Sequence, residues 1–219
     1  MATTADRRRA RRAAWTLVAV AASAVLAGCG GGDARDGTTK PKEFTESLTV
    51  YSSLPLSGPD SGAGEDILDG VRLAYAQSGG TVGRYAINLV SLNSLPGKQL
   101  ELGNGQVALN ARSAVTDPRT IAYIGDYRRP QTRISRGILD QAPVLQVAPS
   151  EGWDALPGGR EPAPGFRTAY RARFGKDPGS EALFGYEAMN DILDAIERAG
   201  RQGSNRSAVA DAFRAGPGN

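Results

Sequence analysis

The chain has 219 residues, a formal charge of +3, no histidine and a single cysteine, Cys29. This excludes histidine-based triads and histidine metal sites, and one thiol excludes an intrachain disulfide or a thiolate cluster. Five of the 26 basic residues and one of the 23 acidic residues precede Cys29, leaving 21 and 22 beyond it; that balance gives no electrostatic footprint for nucleic acid.

Residues 1–28 read as a targeting segment. Arg7, Arg8, Arg9, Arg11 and Arg12 form a cationic start, and the apolar run from Ala13 to Ala27 is too short and too alanine-rich for a membrane span. It ends in Leu26-Ala27-Gly28-Cys29, which resembles a bacterial lipobox. That resemblance implies diacylglyceryl transfer to the Cys29 thiol, cleavage before it and acylation of the new amino terminus, with several acyl chains holding the protein on a membrane. An uncleaved anchor and an ordinary secretory signal are the alternatives, and both leave the placement of the sole cysteine unexplained. Residues 29–46 are polar and glycine-rich and read as a flexible tether.

The folded part begins with Leu48 to Leu54, β-branched and apolar in character, as a first strand. Pro55 to Gly64 is a turn-rich loop leading into a helix with Ile67, Val71, Ala74 and Tyr75 on one stripe, ended by Gly79-Gly80. Glu65, Asp66 and Asp69 read as acids of the first helical turn, where the dipole favours them without a metal. Tyr85 to Leu92 is a second strand, and a helix follows over about Gly105 to Val115. A short apolar run, Ile121 to Ile124, stops at Gly125 as a buried parallel strand does. After the loop Asp126-Tyr127-Arg128-Arg129, Pro130 suits the first turn of a helix reaching Asp140, with Ile134, Ile138 and Leu139 on one face. Val144 to Val147 is a further strand. The alternation predicts an α/β fold: an open parallel sheet with helices on both faces, whose ligand loops lie at the carboxyl ends of the strands.

Beyond Ser150 the alternation breaks. Residues 151–165 hold four glycines and three prolines and should be irregular. Three helices follow. Phe166, Tyr170 and Phe174 share one face until Gly175, Ser180 could cap the next with Leu183, Tyr186, Met189, Leu193 and Ile196 in a stripe to Gly200, and Asn205 to Ala215 is a short last helix.

Several of these pieces together resemble the extracytoplasmic solute-binding proteins of ABC importers, in particular the branched-chain amino-acid (Leu/Ile/Val) receptor family. They are P-L-S-G-P at 55–59 with Gly64 and Gly70, I-A-Y-I-G at 121–125, Thr132, and V-L-Q-V-A-P-S at 144–150. To these add F-x-x-x-Y-x-x-x-F-G at 166–175, F-G-Y-E-A-M at 184–189 and A-I-E-R-A-G at 195–200. The resemblance implies a periplasmic-binding-protein type I lobe, a ligand that is an amino acid or similar small polar molecule, and ABC permease and ATPase subunits as partners. It implies no enzyme activity and no cofactor.

The resembled fold has two lobes that close on ligand. Here only residues 151–165 separate landmarks between which the family passes through its second lobe, and a lobe needs on the order of 100 residues. The chain therefore reads as a single lobe: 47–150 its first part, 151–165 a linker replacing the second lobe, and 166–215 helices returning to the first. A truncated or decayed receptor lobe, acting as a membrane-tethered interaction module without transport, is the alternative. It predicts an exposed apolar cleft face, usable for a homodimer. Either way the place is the cell membrane, lipid-anchored on the extracytoplasmic face.

Carried over from the family, the start of the helix after the third strand would hold a ligand carboxylate, and groups near A-P-S its amino end. This points to Arg129, Gln131, Thr132 and Ser150, with Tyr127 beside them; a helix N-terminus offers unpaired amides to an anion. First-turn capping for Thr132, a plain loop hydroxyl for Ser150 and a solvated pair for Arg128 and Arg129 are the competing readings. Small hydroxyl residues are frequent in the family where these arginines stand, and an aromatic is common at the position of Ala63.

Overall fold

β-branched and apolar residues concentrate in four segments that pair in parallel or sit at a parallel edge, and the sheet follows from them. A computed structural model describes residues 46–96, 100–156 and 164–216. The signal segment, Cys29 and the tether lie outside the described residues.

In chain order the elements are β1 (Glu46–Leu54), α1 (Ser61–Gln77), β2 (Thr81–Val82), β3 (Tyr85–Asn93), α2 (Leu100–Thr116), β4 (Thr120–Ile124), α3 (Arg129–Leu139) and β5 (Leu145–Val147). A 3-10 segment (Pro149–Ala155) leads on to α4 (Phe166–Phe174), α5 (Ala182–Ala199), a 3-10 turn (Gly200–Gln202) and α6 (Arg206–Arg214). The sheet order is β2-β3-β1-β4-β5. β1 pairs in parallel with β3 and β4, and β4 pairs in parallel with β5. β4 is buried at every position, as a central parallel strand covered on both faces must be.

Helices α1, α5 and α6 pack over one face, around Ile67, Val71, Met189, Ile192, Ile196 and Phe213, while Ala111, Ala114, Tyr123 and Leu139 form the smaller core under α2 and α3. The two faces of the expected α/β sheet are thus both covered. The Arg206 guanidinium ties α6 to the base of the sheet by donating to the carbonyls of Thr120, Ala142 and Asp117 at 2.8, 3.1 and 2.9 Å.

Four local expectations change. The two-residue strand β2 pairs antiparallel with β3 in a hairpin at the sheet edge, made by Gly79, Gly80 and Gly83 at positive φ; two residues are too few for a sequence pattern to mark. Ser180 does not cap α5, whose N-cap is Glu181 without a side-chain bond. Helix α1 begins at Ser61, so Glu65, Asp66 and Asp69 lie past its first turn. Asp69 instead faces Lys176 at 3.0 Å and accepts from the Tyr170 hydroxyl at 3.3 Å. Finally, the start of the stretch expected to be irregular is a 3-10 segment, held by apolar contact: Trp153 meets the Phe184 ring edge-on at 5.8 Å and Leu156 is buried. Residues 157–163 lie outside the described part. Among the described residues no helix is long and apolar enough to cross a membrane.

Candidate functional site

β3 and β4 lie on opposite sides of β1, so the loop after β1 feeds α1 on one face and the loop after β4 feeds α3 on the other. That divergence opens a crevice at the carboxyl ends of the strands, the usual place for a ligand in an open α/β sheet. Pro55 to Asp60 form one bank; Gly125 to Arg128 and Ala148 to Ser150 form the other.

Gly125 makes the β4 exit possible. Its φ is +146°, and a Cβ there would stand 2.4 Å from the Ser53 carbonyl oxygen. The next residue, Asp126, points into the protein and is fully buried. Its Oδ1 accepts from the Ser53 hydroxyl at 3.1 Å and, more distantly, from Tyr123 at 3.5 Å, while its Oδ2 has no hydrogen-bond partner among the described residues. Asn110 on α2 steadies Ser53 by donating to its hydroxyl at 3.0 Å. Burial pushes the Asp126 carboxyl up to about 6, and the Ser135, Ser53 and Tyr123 hydroxyls only partly offset it.

Above this floor the structure brings Thr132 and Ser150 together, 18 positions apart in sequence, with their hydroxyl oxygens 2.7 Å apart. The Thr132 hydroxyl also lies 3.0 Å from the Asp126 carbonyl and 3.3 Å from that of Arg128. Its single hydrogen is directed to these carbonyls, so Ser150 donates to Thr132 and keeps its own lone pairs for another partner. Thr132→Val, which keeps shape and removes the hydroxyl, is expected to cost about 1–3 kcal/mol in urea denaturation, because the Asp126 carbonyl and Ser150 lose their partner together.

Helix α3 carries no side-chain cap at Arg128, and Pro130 lacks an amide hydrogen, so the first-turn amides of Arg129 and Gln131 face the opening unpaired by the helix. The Gln131 side chain is buried (5 % exposed), which leaves its amide as the group it can offer. Arg129 is exposed and donates from Nε to the Ser150 carbonyl at 3.2 Å; no ion-pair partner faces it among the described residues. Arg128 reaches the other way, across the crevice, to Asp60. Tyr127 is half-buried against the α1–α5 core, and its hydroxyl is raised by burial and then by Glu181 and Asp60.

Gln146 fastens the far bank. Its Nε2 donates to the Gly125 carbonyl at 2.9 Å and to the Ser135 hydroxyl at 2.7 Å, and its Oε1 accepts from Arg136, which pairs with Glu151 at 2.7 Å. Sequence reading missed Asp60, Ser53, Asn110, Asp126 and Gln146. The available signal was polarity in the wrong place: serine, glutamine and aspartate within or directly after strands otherwise reading as buried. No group of three or more metal-ligating side chains occurs among the described residues.

No protein-family model matches the sequence, and no curated protein matches it either. Solved structures do. The leucine-binding protein LivK from Thermotoga maritima matches with 14 % identity over 76 % of this chain and 87 % of its own, at a TM-score of 0.62. The branched-chain amino-acid transporter substrate-binding protein LivJ from Streptococcus pneumoniae, in complex with isoleucine, matches with 11 % identity over 77 % and 88 %, at 0.63. The fold is that of a type I periplasmic-binding-protein lobe. A solute-binding protein of an ABC transporter from R. palustris in complex with benzoate has the same likeness, 11 % identical over 77 % of this chain and 86 % of its own, at 0.62. In this lobe the sequence-derived candidates Tyr127, Arg129, Gln131, Thr132 and Ser150 all lie along one side of the crevice, on α3, the loop before it and the segment after β5.

Proposed function

We propose that the chain is the solute-binding component of an ABC importer, taking a small carboxylate such as an amino acid. The carrying observation is the juxtaposition, at the topological switch point, of the Arg129 and Gln131 amides, the Arg129 guanidinium and the Thr132–Ser150 hydroxyl pair. Amides at a helix start and a guanidinium are donors for a carboxylate, while the lone pairs left on Ser150 suit the ligand's ammonium. Two of the solved neighbours were determined in complex with isoleucine and with benzoate, each with one carboxylate.

The permease and ATPase subunits, the lipid anchor at Cys29 on the extracytoplasmic face, and a non-enzymatic role belong to the same reading. So do the expected boundaries, with 47–150 and 166–215 as one lobe joined through 151–165. Trp153 and Leu156 cover apolar surface near the crevice, and among the described residues the large hydrophobic side chain that stays exposed is Leu109 on α2, at 54 %. This favours a binding lobe over the alternative of a tethered interaction module or a homodimer through an apolar cleft face.

A ligand held by one lobe stays half-solvated, and its hydrogen bonds gain less than in an enclosed site. Calorimetric titration of the full chain in detergent micelles with isoleucine, benzoate and L-glutamate is expected to give saturable heat for at least one, at millimolar ligand. The absence of heat with all three sinks the reading.

A further inference from the structure

Both banks of the crevice carry charge, and an ion pair joins them. Arg128, the last residue before α3, donates to Asp60 from Nε to Oδ2 at 2.5 Å and from Nη2 to Oδ1 at 2.8 Å. This two-point strap crosses from the β1 loop to the β4 loop. Asp60 occupies the N-cap position of α1, where an aspartate ordinarily accepts from the helix's own first-turn amides, yet its side chain makes no capping bond. Asp60 therefore has two competing occupations, cap and strap, and in this state it straps.

Next to it, Arg129 holds among the described residues only the Ser150 carbonyl, through Nε, and with respect to them the rest of its guanidinium fork is open beside the α3 amides. Two adjacent arginines thus stand at the crevice, one with a replaceable carboxylate on it and one with none among the described residues.

Resting on the reading above, we propose that Arg128 and Arg129 select a ligand bearing two carboxylates, of the size of a dicarboxylic amino acid or acid. One carboxylate lies on Arg129 and the α3 amides; the other takes the place of Asp60 on Arg128. A guanidinium binds any carboxylate in the same fork geometry, so the exchange conserves the charge-assisted bonds on Arg128. The displaced Asp60 returns to the start of α1 and accepts the amides it now forgoes, which offsets the loss of the strap. A ligand with one carboxylate cannot make this exchange: its apolar end meets an intact ion pair, and Ala63 supplies no ring to cover it.

The test is titration of the full chain in micelles with L-glutamate, L-aspartate, succinate, isoleucine and benzoate, repeated for Arg128→Gln and Asp60→Asn. The two-carboxylate ligands are expected to bind about tenfold or more tighter than isoleucine and benzoate, the scale of a charged hydrogen-bond pair. Glutamate and aspartate above succinate would mean that the ammonium is also read; equality would place the selection on the carboxylates alone. Arg128→Gln should bring the ratio of glutamate to isoleucine affinity close to one. Asp60→Asn frees Arg128 while keeping a good capping residue, and should raise glutamate affinity severalfold. Isoleucine or benzoate binding as well as glutamate, an unchanged ratio in Arg128→Gln, or weaker glutamate binding in Asp60→Asn overturns the selection and leaves solute binding standing. Silence with all five ligands overturns solute binding itself, and the selection with it.

Discussion

Asp126→Asn is expected to raise the stability of the lobe at pH 7.5 and to flatten its dependence on pH between about 4 and 6. The carboxyl is fully buried, and among the described residues one oxygen has no hydrogen-bond partner and no cation offsets the charge; Ser53 from β1, Tyr123 from β4 and Ser135 from α3 are the groups around it, and Tyr123 is itself raised by burial. Its value stands at about 6 against 3.8 for the free group. Between those two pH values the folded chain binds a proton that the unfolded chain has released, so stability falls as pH rises through the window and levels off above it. A rise of that size corresponds to about 3 kcal/mol, an upper bound for what the neutral amide recovers. Asparagine keeps an acceptor for Ser53 and removes the charge. Urea denaturation at pH 4.5, 6 and 7.5, with m-values checked, reads the difference. A wild-type curve parallel to that of the variant across this window would show that the carboxyl is not strained by its burial.

Gly185→Ala and Gly70→Ala are each expected to be strongly destabilising. Helices α1 and α5 cross through these two glycines: a Cβ on Gly185 would lie 1.9 Å from the Ile67 carbonyl oxygen, and one on Gly70 would lie 1.9 Å from that of Ala182. Both obstacles are backbone, so no rotamer change relieves them and the helices must separate. Overpacking of this kind costs about 3 kcal/mol or more, or roughly 6–12 °C in Tm for a domain of this size. Gly137, in the last turn of α3, is the control: nothing lies within 4 Å of its added Cβ, and Ala there should gain about 0.4–1 kcal/mol from a less free unfolded chain. Thermal denaturation followed by the signal of Trp153 compares the three. A Gly185→Ala Tm within 2 °C of wild type would mean that the α1–α5 crossing is looser than its backbone geometry indicates.

The two glycines also show why the sequence was readable where it was. Gly70 and Gly185 stood among the motif residues that carried the family resemblance, and the structure gives their reason: both are fixed by a helix crossing that tolerates no side chain. Gly125 is of the same kind, placed by a positive φ and the Ser53 carbonyl. Stripes such as Tyr186, Met189, Leu193 and Ile196 were legible because a helix buries one face at a fixed period. The last helix was legible from about Asn205, and the structure shows why it starts there: the Asn205 side chain caps it by accepting from an amide three residues on, a local bond. Ser180 failed on the same rule, since Glu181 took the cap position and nothing local distinguishes the two.

By itself the sequence determined the alternation of strands and helices, the parallel sheet, the crevice loop after β4 and the side of it on which Tyr127, Arg129, Gln131, Thr132 and Ser150 stand. The alternation, the sheet and the loop follow from period, turn residues and order along the chain, whereas the five residues are what the family resemblance implied. Only the tertiary structure decided which side chains meet across the crevice. Thr132 with Ser150, Asp60 with Arg128, and Asp126 beneath Ser53 are pairs separated by 18, 68 and 73 positions. Contacts at such distances depend on which strands become neighbours and in what register, and one chain's local pattern carries no record of that. The choice Asp60 makes between capping its own helix and holding Arg128 is likewise a competition between a near partner and a far one, decided only once β1 and β4 lie side by side.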